Sequence, residues 1–217
     1  MKLKQLESLL QGSIPTLAFK NPKIDLEQYP TTPHIAASIL HSNCDHFQGK
    51  SVIDLGVGVG ILMVGALFLE ADYVLGIDID QDALNTCKSN LSSAFEDQEE
   101  AYSETNYDLF QADVSNSNTF SRLTKCCDTV VMNPPFGTRK EGIDMVFLDR
   151  ALEMATEAVI SLHKTSTRQG IQRRINKMEG IEMQVLAELR FDLSCSYKFH
   201  RKDSVDVAVD LIKFSFE

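Results

Sequence analysis

Ser51-Val52-Ile53-Asp54-Leu55-Gly56-Val57-Gly58-Val59-Gly60 is the stretch that decides the fold. Its first half is a short apolar run of strand character. Its second half carries glycine at every other position, and residues 61–70 continue as an apolar helix. Glycine lets a backbone turn sharply and approach a ligand closely, and the following helix aims its N-terminus at the loop. This is the opening unit of an alternating α/β chain.

The alternation continues on the C-terminal side. Residues 73–77 read as a strand, 80–95 as a helix, 107–112 as a strand, 128–132 as a strand and 144–154 as a helix. A strand at 158–162, a basic helix at 166–178 and two strand-like runs, about 181–191 and 204–216, finish the pattern. Strands separated by helices predict a mostly parallel sheet with right-handed crossovers, and the last two predict an antiparallel hairpin at one edge. The expected architecture is a Rossmann-like α/β fold of seven strands, one domain over 1–217 with its core at 50–217. Residues 1–49 are expected to cap the cofactor site. There Leu3, Leu6, Leu9 and Leu10 repeat at helical spacing over 2–11, four prolines keep 12–33 extended, and a second helix begins near Ile35 and ends near Gly49. Residues 96–106 are acidic and aperiodic, a loop.

The composition excludes several classes. No apolar run approaches the ~20 residues of a membrane helix, and Met1-Lys2-Leu3-Lys4-Gln5-Leu6-Glu7 lacks an apolar leader core. Five cysteines without CxxC spacing predict free thiols in a reducing compartment, and five scattered histidines predict no metal centre. A net charge of −10 argues against general nucleic-acid binding. Residues 163–202 nevertheless hold 9 Lys+Arg against 4 Asp+Glu. A local phosphate-binding face is expected from Lys164, Arg168, Arg173, Arg174, Lys198, His200, Arg201 and Lys202.

Chemistry is expected at the carboxyl ends of the strands. Asp78 stands 22 residues after Gly56, where a carboxylate accepts the hydroxyls of an adenosine ribose, with Ile79 beside it. Asp113 and the Val114 amide are placed to read an adenine edge. The G-x-G-x-G spacing departs from the G-x-G-x-x-G of dinucleotide sites. With Asp54 and Asp78 nearby, it suits S-adenosylmethionine, which has no phosphate and carries a cationic methionyl end. Cofactor contacts are therefore expected from Asp54, Gly56, Gly58 and Gly60. Asn133-Pro134-Pro135-Phe136 ends the 128–132 strand. The Asn133 carbonyl and the Pro134 carbonyl, stiffened by Pro135, can each accept one N–H of a planar amine. Accepting both localises the nitrogen lone pair, and Phe136 is expected to stack on the base. An adenine N6, a guanine N2 and a protein glutamine amide all satisfy this reading, as does a cofactor-binding subunit without turnover.

Longer motifs narrow the choice. Leu26-Glu27-Gln28-Tyr29-Pro30-Thr31, Asp78-Ile79-Asp80, Met132 to Thr138, Ser161-Leu162-His163-Lys164 and Ser196-Tyr197-Lys198-Phe199-His200 together closely resemble the methyltransferase-like protein five family, N6-adenine methyltransferases of small-subunit (18S) ribosomal RNA. The resemblance runs nearly end to end. It implies S-adenosylmethionine contacts at Gln28, Thr31, Gly56, Val59, Ile61, Asp78, Asp113 and Val114, and catalysis at 133–136. It also implies a small zinc-binding activator subunit that adds a strand along Tyr107, Leu109 and Gln111, a ribosomal RNA substrate, and action in nucleus and cytoplasm. Val57 and Val59 depart from the family, which often has cysteine there. The 96–106 loop is longer than usual and the segment after Thr138 shorter.

Overall fold

Seven strands form one sheet in the computed structural model, which describes residues 1–96, 106–194 and 204–216. They are β1 (Ser51–Leu55), β2 (Tyr73–Asp78), β3 (Tyr107–Gln111), β4 (Cys127–Met132), β5 (Ala155–Lys164), β6 (Ile181–Ser194) and β7 (Ser204–Phe216). The spatial order is β3-β2-β1-β4-β5-β7-β6. The first five are mutually parallel, while β7 runs antiparallel to β5 and β6 antiparallel to β7. This is the mostly parallel sheet with a terminal hairpin that the alternation predicts.

Helices cover both faces, as a parallel sheet requires. One apolar cluster joins α1 (Leu3–Ser13), α2 (Pro33–Ser42), α3 (Ile61–Phe68) and α4 (Gln81–Phe95) to the sheet. The opposite face packs α5 (Ser117–Phe120), α6 (Ile143–Met154) and α7 (Arg168–Ile175). All eight residues of α3 are buried, which explains why its sequence is apolar on every side. Two caps fix helix starts near the site. The Thr32 hydroxyl accepts the Ile35 N–H with Pro33 at the first helical position of α2, and the Asp80 carboxylate accepts the Asp82 N–H at α4.

Several boundaries differ from expectation. The second helix stops at Ser42, because Asn43 Nδ2 donates to the Ile39 carbonyl at 2.8 Å and takes an end-of-helix acceptor; a 3-10 turn, Cys44–His46, follows. β5 runs from 155 to 164, because β7 pairs with it as far as Lys164. The basic helix is shorter than 166–178, preceded by a 3-10 turn at Thr165–Thr167. The Ser/Asn-rich run makes the one-turn α5, capped by Asn116. The central part of the acidic loop, 97–105, lies outside the described residues. So do Lys198, His200, Arg201 and Lys202 of the expected phosphate-binding face.

Candidate active site

β1 and β4 lie side by side with Asp54 opposite Val131. Two residues beyond that pair on each strand are Gly56 and Asn133. Here the strand order reverses, and a crevice opens outside the carboxyl ends. It forms a cavity of ≈ 170 Å³ that Gly56 and Asn133 both line. Gln28, Thr31, Asp54, Gly58, Val59, Ile61, Asp78, Ile79, Asp113, Val114 and Pro135 line it too, with Phe19, Glu27, Lys140 and Phe147, which the sequence alone did not single out.

The glycine loop is held by its neighbour strand. Gly56 and Val57 donate to the Ile77 carbonyl at 2.8 and 2.9 Å. Gly58 N–H donates to Asp78 Oδ2 at 2.9 Å and Asp80 N–H to Asp78 Oδ1 at 2.8 Å, so the Asp78 carboxylate is aimed by two backbone donors. Burial pushes Asp78 upward despite them. Asp113 Oδ1 accepts from the Ser115 hydroxyl and N–H, and that hydroxyl first of all holds Asp113 below the usual carboxylate range. Asp54 is only 1% exposed and its Oδ2 has no partner. Burial raises it to about 8; the Met63 N–H works against this rise and the Asp78 charge adds to it. An unpartnered buried carboxyl facing a cavity suits a cationic ligand. Gly60 does not line the cavity. Its φ of +90° and the Cys87 sulfur beside it make it the point where α4 approaches the loop.

Residues 15–32 cross the cavity and tie its two sides together. Lys23 N–H donates to Gln28 Oε1 and Gln28 Nε2 to Asp80 Oδ2, both at 2.7 Å, while the Lys23 ammonium pairs with Asp80. Asp80 is 3% exposed, and this network is its charge compensation. On the other side, Asn133 Nδ2 donates to Thr31 Oγ1 at 2.9 Å and Arg139 N–H to Glu27 Oε1 at 3.0 Å. Glu27 is 7% exposed, has a φ of +50°, and leaves Oε2 unpartnered at the cavity.

Some expected residues sit elsewhere. Phe136 is 7% exposed, does not line the cavity, and meets Phe191 edge-to-face at 6.0 Å between ring centroids. As it stands the ring is a core contact away from the cavity, because β6 brings Phe191 against it. Pro134 is buried beside it. Arg168, expected on phosphate, instead donates from Nε and Nη2 to the fully buried Asp210 at 2.6 and 2.7 Å and from Nη2 to Glu188 at 2.6 Å. Arg174 is likewise paired with Asp149. Lys164 is half-buried at the end of β5, and Lys140 reaches the cavity rim. His163 is buried and pushed down to about 4 by burial, hence neutral. β3 is an edge strand, its Tyr107 and Leu109 packed on the core and Phe110 40% exposed.

Residues 29–133 match the family model of ribosomal protein L11 methyltransferase (PrmA), a span that ends at Asn133 and omits the strands beyond it. The rRNA N(6)-adenosine-methyltransferase METTL5 of Danio rerio is 50% identical over 219 residues, covering 99% of both chains. Mettl5 of Drosophila melanogaster, also named an rRNA N(6)-adenosine-methyltransferase, is 43% identical over 218 residues, 99% of this chain and 96% of its own. The crystal structure of PH1948 from Pyrococcus horikoshii superposes with a TM-score of 0.81 at 30% identity, over 100% of this chain and 98% of that one. The full-length identity, together with a glycine loop and Asn133 on one cavity, shows that the chain belongs to the METTL5 family of rRNA N6-adenosine-methyltransferases.

Proposed function

We propose that this enzyme methylates N6 of an adenosine in small-subunit (18S) ribosomal RNA, working as a heterodimer with a small zinc-binding activator subunit. The observation that carries the reading is the shared cavity of Gly56 and Asn133. S-adenosylmethionine supplies an electrophilic methyl on a sulfonium. Asp78, aimed by Gly58 and Asp80, would accept the ribose hydroxyls, and Asp113 with the Val114 amide would read the adenine edge. Asp54, with its unpartnered oxygen at the cavity, would hold the cationic methionyl end.

On the acceptor side the Asn133 carbonyl, at the cavity, takes one N–H of the target amine, and the Pro134 carbonyl of the same turn would have to reach the other. That contact would localise the lone pair and line it up opposite the methyl–sulfur bond, which would break as the nitrogen–methyl bond forms, leaving the sulfur as a neutral thioether. The amine proton becomes acidic only once the new bond has formed, so it passes to water without a dedicated base. A target base must leave its stack to reach the cavity, which costs a few kcal/mol and least in single-stranded RNA. Lys164 and Lys140 are the described cations best placed to hold its phosphates. The activator adds a strand to the β3 edge, covering its open backbone and Phe110.

The test is methyl transfer to total RNA with and without the activator, followed by nucleoside analysis. The expected product is N6-methyladenosine in small-subunit rRNA. Asn133→Ala is expected to abolish it while cofactor binding persists. A product on guanosine N2 or on protein glutamine refutes the reading.

A further inference from the structure

Resting on the reading that a target adenosine enters the cavity with its amine at Asn133, we infer that Glu27 reads the ribose of that adenosine. Its unpaired carboxylate oxygen accepts the 2′-hydroxyl, and the enzyme thereby favours RNA over DNA. Glu27 ends the 3-10 turn Ile24–Leu26 in the left-handed region, at a φ of +50°, with its N–H on the Ile24 carbonyl at 3.1 Å. Such a cap suits glycine, and a glutamate held there is strained. The turn itself gives no reason for a carboxylate. Yet the residue is only 7% exposed, and its two oxygens are treated differently. Oε1 accepts the Arg139 N–H at 3.0 Å, while Oε2 is buried without a partner among the described residues, on a side chain that lines the cavity. A buried acceptor left unsatisfied costs free energy that a donor on a ligand recovers.

Direction and chemistry select the ligand. The side chains of residues 27 and 28 part company. Gln28 turns to Asp80, beside the donor loop, at 2.7 Å, and with Thr31 it stays on the cofactor side. Glu27 turns instead to Arg139, on the turn that follows the Asn133 tip. The cationic methionyl end already has the unpartnered oxygen of Asp54, so Glu27 is left to the nucleotide. A carboxylate only accepts hydrogen bonds. Within an RNA chain the N1, N3 and N7 atoms of an adenosine, its ring oxygen and its phosphate oxygens also only accept. Its donors are the two N6 hydrogens and the 2′-hydroxyl. The N6 hydrogens are assigned to the Asn133 and Pro134 carbonyls, and the 2′-hydroxyl remains. That hydroxyl is the group by which a protein tells RNA from DNA. Lys140, the next residue after Arg139, lines the same cavity and gives the phosphate of that nucleotide a counter-charge on the same side.

The test uses a short RNA built around the adenosine that the total-RNA experiment maps, with ribose, 2′-deoxyribose or 2′-fluororibose at that one nucleotide. The fluoro sugar keeps the pucker of RNA but has no hydroxyl to donate. Wild type and Glu27→Ala, each as the full chain with the activator, are compared by single-turnover methyl transfer, and cofactor affinity is read by calorimetry. A hydrogen bond to a charged group is worth about 10- to 100-fold. Wild type is therefore expected to methylate the ribose substrate about 10- to 100-fold faster than either modified one. Glu27→Ala is expected to treat all three alike, with cofactor affinity unchanged. Loss of the side chain for merely structural reasons would slow all three equally and keep the wild-type ratio, and that result overturns the inference. Weakened cofactor affinity with the ratio kept also overturns it and hands Glu27 to the methionyl end. If Glu27→Ala does not fold, Glu27→Gly, which relieves the left-handed backbone, gives the same comparison. Wild type that makes no N6-methyladenosine on the ribose substrate removes the functional reading and Glu27's role with it. Wild type that methylates all three substrates equally removes the Glu27 assignment alone.

Discussion

Gly60→Ala is the sharpest test of how the donor loop is built. Gly60 has a φ of +90°, and an added Cβ would lie 2.5 Å from Cys87 Sγ, 3.5 Å from Cys87 Cβ and 3.7 Å from its Cα. Two separate penalties follow. A left-handed backbone costs an L-residue about 1–2 kcal/mol, and forcing an atom into a packed contact costs about 1–3 kcal/mol more. The sum, about 2–5 kcal/mol, is a large fraction of the 5–15 kcal/mol that holds a domain of this kind together. The second penalty depends on one atom. Cys87→Ala deletes the sulfur and leaves Cβ as the nearest neighbour at an ordinary 3.5 Å. In a double-mutant cycle, Gly60→Ala in the Cys87→Ala background should therefore lose only the backbone part. The coupling should be about 1–3 kcal/mol in favour of the pair. The assay is urea unfolding of the four proteins, read at the midpoint with the slope checked for constancy. A Gly60→Ala loss below about 1 kcal/mol, or strictly additive effects, would refute the account of this loop.

Two further predictions concern buried carboxylates. Burial raises the Asp54 carboxyl to about 8, so the fold favours its protonated form. The cofactor-free chain should therefore lose stability relative to Asp54→Asn as pH climbs from about 5 to about 8, by up to a few kcal/mol, and the deficit should then level off; urea midpoints of the two proteins across that range check it, and a constant difference refutes it. Burial pushes Asp210 up, but the Arg168 and Thr165 hydrogen bonds outweigh it and hold the carboxyl below its usual range. Asp210→Asn should thus lower the unfolding midpoint at neutral pH far more than Asp149→Asn, which breaks the exposed Arg174 pair; the gap should close in acid, as pH falls through the depressed Asp210 pKa.

Most of the sheet could be read from local signals. Asp54, Asp78, Asp113 and Asn133 each follow an apolar run, and a run bounded by turn residues announces both a strand and the end where chemistry collects. The contacts that join separate elements were not legible. Thr31 meets Asn133 across 102 positions and Glu27 meets Arg139 across 112. Arg168 sits on a basic helix that reads as a phosphate-binding face. Only the antiparallel pairing of β5 with β7 brings Asp210 beneath it. Phe136 likewise looks like a binding aromatic until Phe191, from the far edge of the sheet, packs on its ring. Gly60 reads like its loop partners, because spacing cannot tell a glycine that faces a ligand from one that faces a helix.

The register of β1 against β4 has one more consequence. Parallel neighbours stand roughly 4.8 Å apart, and the Asp54–Val131 match places donor turn and acceptor tip abreast. The span across which the methyl must travel is thus ruled by backbone hydrogen bonds in the middle of the sheet. A one-residue slip of β4 against β1 would flip every side chain of that strand to its other face. Evolution can remodel the rims of this crevice to suit new nucleotides, yet the gauge between its halves is locked by the pleat.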